Sequence, residues 1–467
     1  MICNDGFRKA LLSCIGSNRL PSNVAVALSG GVDSICLTYL LSQYRRIHQH
    51  DLNIHAITID HRYRDGSEKE AEAVGNIVTQ WGVNHIVSRL CYDKPVSQIT
   101  NFEEHARLKR YETFNSICHQ LNCQSLLVGH TLDDQLETFV HRLQQNSSLL
   151  GLIGLKPKTP IPLEYTYGLP NVFVYRPLLE YKKSQLVETC TRNHIPWFED
   201  VTNQDHGLTK RNLLRYLMNE HIPKDPNLQI ISKESLLLTF QQVLWFSKRV
   251  IELTHDLQAL LETQSLITKN ESAATLTIKF PRTIIVDENS LVVSRFLFNY
   301  IYPISAVKHY HWAYARIEKQ LYPKILQFLS STHSKLRLTY LNLQFDVSKC
   351  LNYVSISMSR QPILRHENLD IKYTSTDIWG DWVLFDRRFW LRLKSNSKLV
   401  LSIVPYQHRL NKSQLHPRLV NKVSRKMDFS PALLLNDEII AFPTFSLSID
   451  PNLLSEWSLK PSIYTNT

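Results

Sequence analysis

Across the first 200 residues short apolar runs alternate with longer helical patterns, and that alternation leaves few folds open to the chain. Strands are expected at residues 24–28, 54–59, 85–90, 125–128 and 172–175, and helices at 35–46, 67–81, 102–121 and 132–143. Repeated strand–helix units of this length build a parallel sheet covered on both faces, the doubly wound, Rossmann-like α/β class. In such a sheet a ligand binds beyond the carboxyl ends of the strands. The first of those ends carries Ser29, Gly30, Gly31, Val32, Asp33 and Ser34.

Those six residues join a buried strand to a helix, so their turn presents backbone N–H groups at a helix N-terminus. Such amides lack helical partners, and the helix dipole favours an anion beside them. Gly30 and Gly31 let the backbone approach a phosphate with no side chain in the way. Ser29 and Ser34 add hydroxyl donors, and Asp33 is a candidate ligand for magnesium against phosphate oxygens. The turn also resembles the pyrophosphate loop of the ATP pyrophosphatase, or PP-loop, superfamily, whose members cleave ATP between its α and β phosphates. No GxxxxGK[ST] occurs, so a kinase-type or GTPase-type loop is not supported.

At 467 residues the chain can hold two or three domains. Its 43% hydrophobic and 20% charged content is that of a soluble globular protein. No apolar stretch approaches the roughly twenty residues that span a bilayer, so no membrane segment is expected. Eight scattered cysteines without a CxxC argue against a disulfide framework and a zinc site. The first twenty residues carry Arg8, Lys9 and Arg19 against Asp5, a weak mitochondrial presequence pattern.

The net charge of +11 is uneven. Residues 331–467 hold 18 Lys and Arg against 11 Asp and Glu, and residues 387–426 hold eleven cations and no acid. With Phe389, Trp390 and Tyr406 interleaved, that stretch reads as a surface on which Arg387 and Arg388 follow a phosphate backbone while rings stack on bases. The alternative is a solvated basic face. Residues 210–322 look mostly helical, with a long amphipathic segment at 236–261 and a strand-like break at 274–280. Alternating runs at 336–345, 353–358, 383–385, 389–393 and 399–404 then predict a small α+β domain. The expected domains are 1–217, 218–330 and 331–467.

Polar clusters punctuate the first domain. Asp60, His61, Arg62, Tyr63 and Arg64 close the second strand. Glu103, Arg107 and Arg110 share a helix face, as a site or as an ion-pair stripe. After the fourth strand come His130, Thr131, Asp133, Asp134 and Glu137, whose carboxylates suit magnesium, an amine or plain helix capping. Further on lie Arg176-Pro177-Leu178-Leu179, the run from Trp197 to Asn203, and Lys210-Arg211-Asn212.

In this order these segments resemble the tRNA(Ile)-lysidine synthetases over residues 22–217, through SGGxDS, a DH strand end, E-x-x-AR-x-x-RY, H-x-x-DDQ-x-ET, RPLL and W-x-x-D-x-(S/T)N followed by RN. Thr131 stands where many members have a second histidine. The resemblance implies adenylation of C2 of the wobble cytidine of a CAU-anticodon tRNA(Ile), then attack by the lysine ε-amine to give lysidine, AMP and pyrophosphate. By motif position Ser29, Gly30, Gly31, Val32 and Ser34 would hold ATP, with Asp33 on Mg2+. Arg107 would stabilise phosphate charge, His130 would contact AMP or move a proton, and Asp133, Asp134 and Glu137 would hold magnesium or the lysine ammonium. Arg110 and Arg211 join Glu137 as substrate-binding candidates. A PP-loop thiolase is the rival, but it needs a cysteine pair or an iron–sulfur cluster, and Cys118 and Cys123 share a helix face poorly. A non-catalytic tRNA-binding homologue is the other. The expected compartment is the cytoplasm for a bacterial source and the mitochondrial matrix for a eukaryotic one, and a homodimer stays open.

Overall fold

The computed structural model describes residues 1–461 except 61–66, 91, 93–101, 164–166, 169, 200–209, 309, 311–312, 365–366 and 368, and it leaves out the side chains of 67, 103, 210 and 211. Two compact units follow one another along the chain, Met1–Trp245 and Phe246–Thr467.

The first unit runs α1 (Asn4–Ile15), β1 (Asn23–Ala27), α2 (Val32–His48), β2 (Asn53–Asp60), α3 (Ser67–Thr79), β3 (Asn84–Arg89), α4 (Phe102–Gln120), β4 (Ser125–Leu127) and α5 (Leu132–Gln144). It continues through β5 (Lys158–Pro160), β6 (Phe173–Tyr175), α6 (Lys183–Arg192) and α7 (Lys210–Tyr216) to α8 (Lys233–Thr263), which carries the chain into the second unit. The sheet order is β3-β2-β1-β4-β6-β5, parallel throughout except for β5, which lies antiparallel to β6 at the edge. Alternation along each strand feeds two cores. Val24, Val26, Ile54 and Ala56 enter one, and Ala25 and Ile57 enter the other with Phe114 of α4.

Every expected strand and helix of this region is present within a few residues. Two elements were not expected. One is β5, which has only three residues and ends in a proline, too little for a period to show. The other is α1, in the stretch that reads as a weak presequence. Its Phe7 and Leu11 are buried in the same core as β1, and Gly16, at φ 74, closes its C-terminus.

In the second unit, β7 (Ile267–Asn270), β8 (Thr275–Pro281), β9 (Lys335–Tyr340), β10 (Leu343–Lys349) and β11 (Tyr353–Arg360) form an antiparallel sheet in the order β7-β8-β11-β10-β9. Because β8 pairs with β11, the strand expected at 274–280 and the strands after residue 335 belong to one sheet. A second sheet comprises β12 (Ile371–Ser375), β15 (Leu399–Pro405), β16 (Pro431–Leu435), β17 (Glu438–Phe442) and β18 (Leu447–Ser448). A third comprises β13 (Val383–Phe385), β14 (Phe389–Lys394) and β19 (Leu454–Leu459).

Candidate active site

The loop between β1 and α2 is built by its own small residues. Gly31 caps α2 without a side-chain bond, which leaves the first-turn amides facing outward. Gly30 has φ +86, and a Cβ there would stand 2.8 Å from Val74 Cγ2, so both backbone and space demand glycine. Gly129, just past β4, approaches the loop so closely that a Cβ would lie 2.9 Å from the Asp33 carbonyl. The Ser34 hydroxyl donates to Gly31 O at 3.0 Å and accepts from the Ser29 N–H at 3.1 Å. Ser34 therefore shapes the loop from within. Phe198 N–H donates to Gly30 O at 3.0 Å, docking the Trp197 segment on the same turn.

Beside this loop opens a cavity of about 330 Å³. Asp33 faces it from the first turn of α2, Asp133 and Asp134 from the first turn of α5, and Glu137 from one turn further. Three cations answer them. Arg215 of α7 donates through Nε to Glu137 Oε1 at 2.6 Å and reaches Asp134 Oδ1 at 3.4 Å. Lys233, the first residue of α8, places its ammonium 2.7 Å from Asp133 Oδ1. Lys183, the first residue of α6, donates its backbone N–H to Asp133 Oδ2 at 2.8 Å and holds its ammonium 3.6 Å from Asp33 Oδ2.

The four carboxylates are therefore unequal. Burial pushes the Asp33 carboxyl up, only partly offset by Lys183, and its buried Oδ1 has no hydrogen-bond partner. Burial also acts on Asp133, but the Lys183 N–H and the Lys233 ammonium outweigh it and hold that carboxyl below the usual range. Asp134 Oδ2 accepts from the Thr131 backbone N–H at 2.9 Å and from its hydroxyl at 3.1 Å. Thr131, where the relatives' second histidine would stand, is thus a buried helix-capping partner. An unpartnered buried carboxylate oxygen beside outward-facing amides is a donor set that fits a hard cation shared with phosphate oxygens.

Asp33, Asp133, Asp134 and Glu137 share this cavity, but other expected residues do not line it. Arg107 and Arg110 lie on α4 with their guanidinium groups over the Tyr111 ring, at 5.4 and 5.9 Å from its centre. His130 is half-buried at the end of β4, outside the cavity wall. The side chains of Arg211 and Glu103, the cluster from His61 to Arg64 and the residues from Asp200 to Asn203 lie outside what is described. Sequence reasoning missed Lys183, Arg215 and Lys233. For Arg215 a signal existed, since it follows Arg211 by one helical turn.

The basic stretch of the second unit needs correcting. Arg388 is fully buried, donates to Asp386 Oδ2 at 2.7 Å and to Phe429 O at 2.6 Å, and cannot reach a nucleic acid. Phe389, Trp390 and Tyr406 are buried as well, so they fill the core where stacking on bases was expected. Phe389 and Trp390 point to opposite faces of β14, and both faces are covered there. Arg387 is half-buried at the β13–β14 turn, with φ 52. The exposed cations of the stretch are Lys398, between β14 and β15, and Arg409, Lys412, Arg418, Lys422, Arg425 and Lys426, between β15 and β16.

Residues 6–222 match the model of one family, described as a PP-loop domain. The N-terminal half of this chain is a PP-loop domain. A "Probable tRNA(Ile)-lysidine synthase" of Schizosaccharomyces pombe is 25% identical over 463 residues, 94% of this chain and 94% of that protein. The tRNA(Ile)-lysidine synthase of Rickettsia felis is 31% identical over 219 residues, 46% of this chain and 47% of that protein. The chain thus spans nearly all of the fungal relative but less than half of the rickettsial one. Among solved structures it is similar to a U34-tRNA thiolase from Methanococcus maripaludis, at TM-score 0.40 and 16% identity over 51% of this chain and 79% of that one. The resemblance read from the ordered motifs of the PP-loop domain therefore holds, and the fungal relative extends it past residue 222.

Proposed function

We propose that the chain is a tRNA(Ile)-lysidine synthase, an ATP-dependent ligase that joins lysine to a cytidine of its tRNA. The observation that carries this is the cavity at the carboxyl edge of the PP-loop sheet, where Asp33 beside the loop amides meets Asp133, Asp134 and Glu137. The loop amides and the Ser29 hydroxyl would bind the ATP phosphates. When bound, Mg2+ would neutralise phosphate charge, and Asp33 would hold it. In the first step the C2 oxygen of the wobble cytidine attacks the α-phosphorus and pyrophosphate leaves. In the second the lysine ε-nitrogen attacks C2, the C2–O bond breaks and AMP leaves, while the nitrogen loses a proton. Fixed cations around the cavity stabilise the negative charge that moves onto the leaving groups.

Arg215 positions Asp134 and Glu137 as a unit. Arg107 and Arg110, on the adjacent helix, would meet phosphate or tRNA from outside the cavity, and His130 would serve AMP from the end of β4. Arg211, in the first turn of α7, would contact tRNA. Asp134 doubles as the cap of α5, so its substitution affects folding as well as chemistry. A CAU anticodon, a mitochondrial matrix location and a homodimer extend the same reading. A thiolase mechanism is disfavoured by the buried Cys118 and Cys123, whose thiols burial pushes up to about 12 and about 11.

Mass spectrometry of nucleosides from tRNA(Ile) incubated with the protein, ATP and lysine tests the reading. Lysidine that forms only when all three are present is the expected result, and sulfur incorporation or an unchanged cytidine would reject it.

A further inference from the structure

Arg176 opens the Arg-Pro-Leu-Leu segment at the carboxyl end of β6, and it takes no part in the cavity wall. Pro177 after it holds the backbone extended there. Arg176 is only 8% exposed, and a buried cation is costly unless its N–H groups are matched. Its partners are neutral. One terminal nitrogen donates to Lys156 O at 2.9 Å and to Thr159 Oγ1 of β5 at 3.0 Å, and the guanidinium lies against the Tyr111 hydroxyl. The buried Nε has no hydrogen-bond partner. Burial disfavours the charged form of Arg176, and the like charge of Arg107 nearby acts in the same direction. An apolar side chain would fill the same volume without that cost, so packing alone does not account for an arginine here.

Tyr111 supplies the reason. Its ring is buried in one core with Phe114 and Val174, and it carries the guanidinium of Arg107 at 5.4 Å from its centre and that of Arg110 at 5.9 Å. Helix α4 follows β3, so its first turns lie at the carboxyl edge of the sheet, the edge that carries the loop between β1 and α2. Arg107 is exposed there. An exposed arginine samples many rotamers, and a fixed ring beside it removes part of that freedom. We propose that Arg176 and Tyr111 are positioning residues for Arg107: Arg176 fixes the Tyr111 hydroxyl from the sheet edge, and the fixed ring holds the Arg107 guanidinium for the charge that moves onto pyrophosphate. The inference rests on the lysidine synthase reading and adds to it two residues that act only through a third. A cation placed before the charge develops stabilises the transition state without reorganising. Ground-state binding of ATP and lysine needs no such placement, so the loss of either residue falls on kcat.

The test follows pyrophosphate release by the full chain with ATP, tRNA(Ile) and lysine, varying ATP and lysine separately. The variants are Arg176→Met, Tyr111→Phe, Tyr111→Leu, Arg107→Ala and the double variant Arg107→Ala with Arg176→Met. Arg176→Met is expected to lower kcat about tenfold, with both KM values moved by less than about threefold. In the Arg107→Ala background the same change is expected to cost less than about twofold, because the group it positions is already gone. Tyr111→Phe keeps the ring and is expected to lose less than Tyr111→Leu. A merely structural Arg176 would cost the same factor in both backgrounds, and that result overturns the proposal. An unchanged kcat in Arg176→Met, or equal losses in the two Tyr111 variants, overturns it as well. If Arg176→Met does not fold by circular dichroism, Arg176→Lys, which keeps the charge but not the planar fork, replaces it under the same criteria. A wild-type protein that makes no lysidine overturns the functional reading itself, whereas lysidine formation with fully multiplying losses overturns only the positioning role.

Discussion

Asp33 is half-buried at the first turn of α2, with one oxygen lacking any partner and Lys183 at a loose 3.6 Å from the other. Burial raises its pKa, so in the ligand-free protein its charged form is disfavoured. For an acid with a raised folded pKa, the cost is absent below the ordinary value and fully present above the raised one. Asp33→Asn should therefore melt higher than the wild type at pH 7, and the difference should fade as the pH falls to about 4. The same substitution should remove most pyrophosphate release, because a neutral amide binds magnesium weakly. Melting curves across pH beside turnover on one preparation check both halves. A lower melting point at pH 7, or near-normal turnover, would sink the assignment. Asp133 behaves oppositely: its lowered pKa contributes stability above the ordinary carboxylate range that is lost as the pH falls through the lowered value.

Helix α1 lies in the stretch that reads as a weak presequence, and its Phe7 and Leu11 are almost wholly inaccessible and pack in one core with α2 and β1. Because α2 carries Asp33 on its first turn, packing behind α2 supports the loop geometry from the rear. Leu11→Ala should cost about 2–5 kcal/mol, as large-to-small changes in a closed core do. Urea unfolding measures it, and a loss below about 1 kcal/mol would mean that α1 is peripheral. Just before β14 a comparable change follows a different rule. Arg388→Ala removes one buried cation from Asp386, which keeps Arg360, and should destabilise the second unit by about 1–3 kcal/mol.

Within the basic stretch most of the exposed charge lies between two strands. Six exposed cations lie between β15 and β16, whereas Arg392 on β14 pairs with Glu456 and stacks against Trp379 and Trp382. Exposed cations release counterions when they meet phosphates, and paired ones release few. Changing Arg409, Lys412, Arg418 and Lys422 together to Ala should weaken tRNA binding and make its log–log salt slope shallower by about 3. Arg392→Ala should leave that slope unchanged. Filter binding across a salt series decides, and an unchanged slope in the fourfold variant would make this loop a solvated face only.

The ordered polar segments and the period of the apolar runs were enough to read the parallel sheet, its phosphate loop and the acidic residues Asp33, Asp133, Asp134 and Glu137, because those features are local. A strand period spans five residues, and a loop before a helix spans six. Partnership is not local. Lys233 lies 100 residues from Asp133, Arg215 lies 78 from Glu137, and Lys183 lies 50 from Asp133. No pattern along the chain marks Lys183 or Lys233, since a lysine at the start of a helix looks the same in solvent as in a cavity. Burial misled for the same reason around β14, where a basic-aromatic run reads as a nucleic-acid surface until tertiary packing covers Arg388, Phe389 and Trp390. Local spacing determined which residues can carry the chemistry. Only tertiary packing decided which of them meet, which are capped, and which cations reach water.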